Sequence, residues 1–555
     1  MIKAYEVWLN SPALSDCERA ELEAIKGDPK QIEDRFYKDL EFGTGGLRGI
    51  LGMGTNRMNV YTVRRAAKGL ALRLIEEGGE AYKAKGVAIA HDSRRMSREF
   101  AEDSAKVIAN MGIKVYLFDA LRPTPELSFA IKHLGCAAGI VVTASHNPAE
   151  YNGFKAYGAD GGQITPVTAD AVMKIMNGLD PLAIDLLPSL DCPLIQIIGK
   201  DVDEPYIDHV LSLRPDKDLL TRTGVKLKIV YTPLHGAGNK LVRAALEKAG
   251  YTDVTVVKEQ ELPDGDFPTV KSPNPENPEA FTLAIGYADK IDADVIIGTD
   301  PDSDRMGMML KKNGVWTAVT GNQAGCLMLE YILRAKKPDK DAYAVTTIVS
   351  TRMVDAIAAK YGITIERVLT GFKFIGETID RKEKVGNHGF LLGFEESYGY
   401  LTGGYIRDKD AVIATLLACE LAAYYKSRGL SIMDALEDMY KEYGYYAEKT
   451  ISVVMPGVDG MEKREKATAS LRANPPKDIA GRNVLEALDF KPGGVMGLPK
   501  ADVLLYKLDG DAWVCVRPCG TEHKLKIYAG VRENSAEEAQ KQLALISEAA
   551  SRFGA

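Results

Sequence analysis

Short apolar runs alternate with amphipathic segments along most of this chain, an order typical of strand–helix units around buried sheets. In the first stretch the pattern predicts three strands and two helices, at Gly86–Ala90, Ile113–Phe118, Gly139–Val142, Ser97–Met111 and Pro125–Leu134. Two later stretches repeat the order, with strands predicted at Leu227–Tyr231, Val254–Val257, Asp294–Gly298, Ala344–Ile348 and Phe390–Leu392. Three consecutive blocks of similar size therefore predict a recurrent α/β domain.

Both ends of the chain depart from this pattern. Residues 1–40 are charged and patterned as short helices, which predicts an arm against the first domain. Near the other end, two apolar runs flank Asp509-Gly510, a strong hairpin signal, and a helix is predicted at Ser535–Phe553. The predicted organisation is an arm at 1–40, α/β domains at 41–185, 205–312 and 320–445, and an α+β domain at 446–555. The candidate linkers are the proline-containing segments near Pro181–Pro193, Pro263–Pro278 and Pro475–Pro476.

Composition narrows the class of protein. The 555 residues suggest three or four domains, and the net charge of −7 is spread without any basic run, so no nucleic-acid partner is expected. The chain starts without an apolar leader, and its most apolar helical stretch, Ala411–Tyr425, is too short to span a membrane. Seven scattered cysteines are typical of reduced thiols. We expect a cytoplasmic protein with no membrane partner, in which particular loops must bind any phosphate.

The first candidate reactive group is Ser145, in Thr143-Ala144-Ser145-His146-Asn147-Pro148 directly after a predicted strand. The carboxyl ends of strands in α/β sheets commonly present reactive side chains, although a polar strand end or a helix cap is the usual role of an isolated serine. Neighbouring side chains on extended backbone point to opposite sides, so His146 is not expected to act as the base for Ser145. Lys155 is the nearer candidate, on a loop that Gly153 leaves free to turn back.

The second candidate is a metal site formed by Asp300, Asp302 and Asp304. On extended backbone these alternate carboxylates would point to one side, where a hard cation would neutralise them. An EF-hand is excluded, because Arg305 and Lys311 occupy the positions that need Gly and Glu. A solvated acidic turn remains the alternative.

Two further loops could hold a phosphorylated sugar. Glu395 and Ser397 offer hydrogen-bonding groups for sugar hydroxyls, although a turn role fits them equally well. The second loop is Arg517-Pro518-Cys519-Gly520-Thr521-Glu522-His523, whose arginine, glycine and threonine hydroxyl are suited to binding an anion. The alternative is that this segment only leads out of the hairpin and carries an arginine on the surface. Glycine-rich segments near Arg48 and Gly371–Lys373 each add one cation, predicted on flexible backbone.

In this order the four motifs resemble the α-D-phosphohexomutase superfamily, most closely its bacterial α-phosphoglucomutase branch. The resemblance covers roughly residues 40–540. It implies a heart-shaped, four-domain enzyme of three related α/β domains with mixed sheets plus a C-terminal α+β domain, each contributing one loop to a central cleft. It also implies a phosphoglucomutase that interconverts glucose 1-phosphate and glucose 6-phosphate, with phosphomannomutase and phosphopentomutase as alternatives.

The resemblance assigns roles to individual residues. It makes Ser145 the phosphoserine, Lys155 and Arg48 the cations beside the reacting phosphate, and Asp300, Asp302 and Asp304, with a phosphoserine oxygen, the ligands of one Mg²⁺. The catalytic set also includes His146, and Arg305 is an additional active-site residue. The substrate-binding set is Gly371, Lys373, Glu395, Ser397, Arg517, Cys519, Gly520 and Thr521.

Two departures from the superfamily pattern lie in the phosphate loop. Cys519 replaces a serine and His523 a proline, and because a thiol is a poor hydrogen-bond donor we expect a weaker grip on phosphate.

The mechanism implied by the resemblance runs through glucose 1,6-bisphosphate, which is both intermediate and activator, in a monomer or homodimer. A phosphatase, a sugar-phosphate kinase and a non-catalytic sugar-phosphate-binding protein are the rival functions. Steady release of inorganic phosphate or an ATP requirement in every turnover would indicate the first two.

Overall fold

The computed structural model describes residues 1–41, 46–455, 460–518 and 524–554. Its first three helices are α1 (Ile2–Leu9), α2 (Asp16–Glu23) and α3 (Pro29–Phe36). A capping box between Ser15 and Glu18 starts α2, and Asp28 caps α3. The helices bury Trp8, Leu22 and other apolar side chains together with Tyr61 of the following domain. This contact holds the N-terminal segment against the first domain.

The first α/β domain is built on a mixed six-stranded sheet of order β1-β5-β4-β2-β3-β6. Its elements are β1 (Leu47–Ile50), α4 (Val60–Lys85), β2 (Val87–His91), α5 (Ser97–Asn110), β3 (Val115–Phe118), α6 (Thr124–Leu134), β4 (Ala138–Val142), β5 (Tyr151–Gly158), α7 (Pro166–Met176) and β6 (Ile195–Ile198). Strands β4, β2, β3 and β6 are parallel, whereas β5 runs antiparallel to β4 and to β1. The carboxyl end of β4 therefore lies beside β5.

The second domain follows α8 (Lys200–Ser212) and α9 (Leu219–Thr223) and has a five-stranded sheet of order β11-β10-β9-β7-β8. Its elements are β7 (Ile229–Thr232), α10 (Gly238–Lys248), β8 (Val254–Val256), α11 (Lys258–Glu261), α12 (Thr282–Ile291), β9 (Val295–Thr299), β10 (Met306–Lys312) and β11 (Val315–Val319). The predicted linker Pro263–Pro278 is wrong as a domain boundary, because it connects α11 to α12 inside this domain.

The third domain has a four-stranded mixed sheet of order β13-β12-β14-β15. Its elements are α13 (Gly321–Ala335), β12 (Tyr343–Thr347), α14 (Met353–Tyr361), β13 (Thr364–Val368), α15 (Phe372–Lys384), β14 (Phe390–Phe394), β15 (Tyr400–Thr402), α16 (Ala411–Lys426) and α17 (Ile432–Tyr443). Helix α16 is apolar on nearly every side, as expected for a helix buried between the second and third domains, and its one buried carboxylate, Glu420, pairs with Arg214 at 2.6 Å.

The C-terminal part is an antiparallel sheet of order β16-β21-β20-β19-β18-β17, with α19 packed on β16 and β21. Its elements are β16 (Tyr445–Val454), α18 (Gly460–Ala473), β17 (Asp478–Ile479), β18 (Arg482–Asp489), β19 (Leu504–Leu508), β20 (Trp513–Pro518), β21 (Lys524–Glu533) and α19 (Ala536–Ser551). The predicted hairpin is present as β19–β20. Leu508 N–H donates to the Ala512 carbonyl, and this hydrogen bond closes a turn of three residues. Two of the turn residues, Gly510 and Asp511, have positive φ.

The cores show which domains share packing. One cluster of buried side chains runs through the first three domains and includes Tyr206, Val295 and Leu416. The C-terminal sheet has its own cluster around Val514 and Ile527. The α/β fold class with a C-terminal antiparallel domain is confirmed. Within the described residues, no helix is long and apolar enough to cross a membrane.

Candidate active site

Ser145 lies in the turn that follows β4, with its backbone in the left-handed region at φ 52° and its side chain buried. Its hydroxyl donates to Asp300 Oδ2 at 2.9 Å and lies 3.1 Å from His146 Nδ1. The expectation that His146 would point away from Ser145 is wrong, because it assumed extended backbone. Burial and nearby arginines, Arg305 first, hold the pKa of His146 well below its usual range, so a neutral imidazole contacts the serine.

Arg94 holds the Ser145 turn in shape, and the sequence analysis did not single it out. Its guanidinium donates to the carbonyls of Ser145 at 2.6 Å, Pro148 at 2.8 Å and Tyr151 at 3.0 Å, and also to that of Asn147. Its buried side chain pairs with Asp92, 3.3 Å away. The sequence carried one signal for the role of Arg94, which was its position. Asp92 and Arg94 directly follow β2, the strand that pairs with β4, so they lie at the same sheet edge as Ser145.

The three aspartates meet at the turn between β9 and β10. Carboxylate oxygens of Asp300, Asp302 and Asp304 all lie within 4.8 Å of one another, and all three residues are buried. The predicted convergence is confirmed, but the predicted extended backbone is wrong. Ser303 N–H donates to the Asp300 carbonyl at 2.8 Å and Ser303 has φ 51°, so a tight turn brings the carboxylates together.

The electrostatics of this cluster suit a hard cation. Burial, then Asp304 and Asp302, raise the pKa of Asp300 well above its usual range, because repulsion among buried carboxylates disfavours charge. One oxygen of Asp302 and one of Asp304 are buried without a hydrogen-bond partner among the described residues. Buried oxygens without partners, on carboxylates that repel one another, fit an oxygen-liganded divalent cation.

Two lysines from different domains approach the aspartates. Lys155 Nζ donates to Asp302 Oδ2 at 2.7 Å and lies 3.4 Å from Asp304 Oδ2, and Lys409 Nζ lies 2.7 Å from the same Asp304 oxygen. Although burial opposes it, Asp304 and Asp408 raise the pKa of Lys409 above its usual range. Lys155 lies on β5, paired with Val141, and not on the predicted loop.

Lys409 was missed by the sequence analysis. The segment Asp408-Lys409-Asp410 immediately before the apolar helix α16 was the available signal, since a charged run beside a buried helix needs partners.

Two arginines complete the charged part of the site. Arg48 lies on β1, which pairs with β5, so its predicted flexible backbone is wrong; its Nη1 donates to Asn147 Oδ1 at 3.1 Å. Arg305 lies at the end of the β9–β10 turn and pairs with Glu276. Despite burial, Glu276 and Asp304 raise the pKa of Arg305 above its usual range. Glu276 belongs to the segment that the sequence analysis took for a linker, so that segment supports the site.

The β14–β15 turn of the third domain, which carries Glu395 and Ser397, lies next to the β9–β10 turn. Glu395 accepts a hydrogen bond from Gly371 N–H at 2.8 Å, and Met306 N–H donates to the Tyr398 carbonyl at 3.1 Å across the domain boundary. Burial raises the pKa of Glu395, although Lys409 and Arg305 oppose it. Ser397 is half-buried on the same turn.

The cations expected to bind the second phosphate lie on separate elements. Lys373 is in the first turn of α15, not on flexible backbone, and burial with the nearby Arg517 lowers its pKa against the opposing effect of Glu377. Arg517 lies on β20 of the C-terminal sheet. The predicted partners Cys519, Gly520 and Thr521, with His523, lie outside the described residues.

Three sequence models of one family match successive parts of the chain. They are the phosphoglucomutase/phosphomannomutase α/β/α domains I, II and III, over residues 39–182, 204–314 and 320–443.

Relatives and solved structures agree with this match. The chain is 35% identical over 532 residues to a phosphoglucomutase of Staphylococcus haemolyticus, covering 92% of this chain and 94% of the relative, and 35% identical over 534 residues to one of Staphylococcus aureus, covering 93% and 94%. The crystal structure of a putative phosphomannomutase from Thermus thermophilus superposes with a TM-score of 0.71 at 23% identity, over 93% of this chain and 99% of that one. The open form of Paramecium parafusin, described as a phosphoglucomutase, has a TM-score of 0.71 at 16% identity, over 93% of this chain and 96% of that one. The chain therefore belongs to the phosphoglucomutase/phosphomannomutase family.

Proposed function

We propose that this protein is a phosphoglucomutase that interconverts glucose 1-phosphate and glucose 6-phosphate through a phosphorylated Ser145 and glucose 1,6-bisphosphate. The observation that carries the proposal is the buried Ser145 hydroxyl, 2.9 Å from Asp300 in a cluster of three carboxylates that two lysines approach. The relatives named phosphoglucomutase, at 35% identity over nearly the whole chain, support the choice of glucose.

Each half of the reaction moves one phosphoryl group between two oxygens. First, the bond from phosphorus to Ser145 Oγ breaks, a bond to the free sugar hydroxyl forms, and that hydroxyl releases its proton. After the bisphosphate turns over in the site, its other phosphoryl group returns to Oγ and the sugar oxygen left behind gains a proton. We assign the proton relay to Lys155 Nζ, which already lies beside the cluster.

The proposed metal is one Mg²⁺ held by Asp300, Asp302 and Asp304. When bound, Mg²⁺ supplies positive charge to the oxygens of the transferring phosphoryl group. We place Arg48, Lys409 and neutral His146 around the same group, together with Arg305 of the β9–β10 turn, which Glu276 of the α11–α12 segment holds by an ion pair. Because phosphoryl transfer depends mainly on positioning and charge, these residues carry most of the proposed catalysis.

The rest of the substrate would be held by the third and fourth domains. We assign the sugar hydroxyls to Glu395 and Ser397, beside Gly371, and the phosphate that is not being transferred to Lys373 and Arg517, with Cys519, Gly520 and Thr521. Because the phosphate that is not being transferred differs between the two half-reactions, Lys373 and Arg517 would bind each phosphate of the bisphosphate in turn. We place this activity in the cytoplasm, in a monomer or homodimer acting on small sugar phosphates.

The test is phosphoryl labelling of the Ser145→Ala variant. The wild-type protein, incubated with labelled glucose 1,6-bisphosphate and Mg²⁺, should take up one covalent label and convert glucose 1-phosphate at steady state. Ser145→Ala should lose both. Ser104→Ala, which removes a buried hydroxyl bonded only within α5, is the matched control and should keep both.

Substrate choice is read from catalytic efficiencies on glucose 1-phosphate, mannose 1-phosphate and ribose 1-phosphate. Preference for mannose or ribose would reassign the protein to the alternative mutases. Full turnover by Ser145→Ala would refute the phosphoserine mechanism.

A further inference from the structure

A cavity of about 710 Å³ lies between the third and fourth domains, away from the aspartate cluster. The third domain lines it with Arg352, Asp355 and Arg367 at α14 and β13, and the fourth domain lines it mainly with residues of β18, β19 and β20. Its volume falls in the usual range for small-molecule sites. The described lining includes none of the residues assigned to catalysis or to sugar-phosphate binding.

One lining cation lacks a carboxylate partner. Arg367 pairs with Asp355 at 2.6 Å and Lys507 with Glu486 at 2.7 Å, so those charges cancel in pairs. In the part of the chain that the structure describes, the Arg352 guanidinium has no carboxylate at ion-pair distance. It lies 5.3 Å from the centre of the Trp513 ring and donates to the Ile348 carbonyl at 3.2 Å.

The burial of Arg352 adds to this imbalance. Burial and the neighbouring Arg367 lower the pKa of Arg352 to about 10, although Asp355 opposes them. The guanidinium is still charged at neutral pH and is half-buried, so it is partly shielded from water with no carboxylate at ion-pair distance among the described residues. An anion in the cavity would supply that partner.

Apart from Tyr446 and Asp511, whose carboxylate pairs with Arg532 at 3.0 Å, the remaining lining is apolar. Trp513, Leu505 and Leu508 are buried at the floor, whereas Leu485 and Met496 on the rim are 70% and 48% exposed. A large apolar side chain held in solvent beside a cavity gains free energy when an apolar ligand covers it.

We propose that this cavity binds a small organic anion with an aromatic or otherwise apolar body and a single anionic group. The anionic group would pair with Arg352, and the body would cover Leu485 and Met496. The carboxylates of Asp355, Glu486 and Asp511, although paired, disfavour a ligand of high negative charge, so a sugar bisphosphate is a poor fit.

A ligand in this cavity would affect the active site through strand β20. Trp513 and Arg517 lie on the same strand, β20, while Arg352 belongs to the third domain. A ligand bridging the two domains would restrain the position of Arg517. This consequence, a changed KM for sugar phosphate, rests on the proposed function, but the binding itself does not.

The experiment uses anilinonaphthalene sulfonate, a fluorescent monoanion with an aromatic body, as the probe. The chain has three tryptophans, so Trp8→Phe with Trp316→Phe leaves Trp513 as the single donor of energy transfer. We expect saturable transfer to the probe at one site. Arg352→Gln should raise its Kd about tenfold or more, and so should Leu485→Asp, an exposed change that keeps Arg352 in place.

The matched control is Arg428→Gln, which removes an arginine 3.6 Å from the Tyr424 ring and outside the cavity lining. It should leave the Kd unchanged, and saturating glucose 1-phosphate should not abolish probe binding, although coupling between the two sites would shift the Kd to a limiting value. Absence of saturable transfer, an unchanged Kd in both cavity variants, or complete competitive displacement by glucose 1-phosphate would overturn the proposal. Because binding is measured without turnover, the same titration on Ser145→Ala separates this result from the fate of the proposed function.

Discussion

At the scale of single residues, Arg94 shows how one buried side chain determines the geometry of a reactive group. Its guanidinium binds four carbonyls of the segment around Ser145, including that of Ser145 itself. The left-handed backbone of Ser145 is unfavourable for a residue with a side chain, so the surroundings must hold it in place. Arg94 supplies that restraint, and it carries the first prediction at this scale.

Arg94→Lys keeps a cation beside Asp92 but cannot bond to four carbonyls at once. We expect kcat to fall about 10²-fold with a smaller change in KM, because a displaced nucleophile loses alignment more than binding. The measurement is steady-state kinetics together with the thermal midpoint. The control is Arg95→Lys, the adjacent exposed arginine that pairs with Asp266. A kcat equal to that of the control would show that Arg94 does not position Ser145.

Lys409 carries the second residue-scale prediction. Lys409→Met removes the cation 2.7 Å from Asp304, and we expect kcat to fall about 10²-fold, the usual effect of losing one charge preorganised for the transition state. The control is Lys426→Met, which breaks a 2.6 Å pair with Asp294 at the other end of α16. Equal kcat losses in the two variants would mean that the helix, and not the active-site charge, is responsible.

At the scale of elements, the site forms where strand ends from different sheets meet. The turn after β4, the β9–β10 turn and the β14–β15 turn each present polar side chains at a strand end, as α/β sheets commonly do. Their contact is direct, because the Ser145 hydroxyl donates to Asp300 Oδ2 at 2.9 Å and Met306 N–H donates to the Tyr398 carbonyl at 3.1 Å. Periodicity predicted the elements themselves, whereas the meeting of their loops was expected only from the resemblance to a known family.

Strand β16, which connects the third domain to the fourth, carries a prediction about pH. Burial raises the pKa of Glu448 to about 7, although its bond from Asn322 at 3.3 Å opposes this. The folded state keeps a proton that the unfolded chain releases near its ordinary pKa of 4.5. The stability from this group is therefore complete below pH 4.5 and is lost as the pH rises through 7.

Glu448→Gln cannot ionise, so it should lack this loss. We expect the thermal midpoint of the variant, relative to wild type, to increase between about pH 5 and pH 7 and to level off above that. The measurement is thermal unfolding across that range, with Glu437→Gln, whose carboxylate bonds to Tyr445 of the same strand, as the control. A constant difference between Glu448→Gln and wild type would contradict the raised pKa.

At the scale of the whole molecule, the fourth domain has a core of its own around Val514, separate from the cluster shared by the other three, and a smaller cluster joins its Leu505 and Trp513 to Ile348 of the third domain. Multi-domain chains of this kind do not unfold in a single two-state transition. Val514→Ala, in the separate core, should destabilise the fourth domain by about 2 kcal/mol and leave the main transition in place. Calorimetry measures both transitions, and Val295→Ala, in the shared core, should have the reverse effect. A shift of all transitions together in both variants would show one cooperative unit.

The net charge is also a property of the whole molecule, and it does not describe the charges at the active site. The net charge of −7 describes the surface of a chain whose site cations, among them Arg48, Lys155 and Lys409, come from separate elements. No basic run was needed to bind phosphate, because folding gathers single cations around one small volume.

The sequence by itself determined the strands and helices, the fold class and the candidate reactive groups, because periodicity and motif composition are local properties. It could not determine that Ser145 contacts His146, that Asp300, Asp302 and Asp304 converge through a tight turn, or that Arg48 and Lys155 lie on paired strands. Those features depend on backbone conformation and strand pairing between distant segments. The roles of Arg94, Glu276 and Lys409 were hidden for the same reason, since their partners lie far from them in the chain and only tertiary packing brings them together.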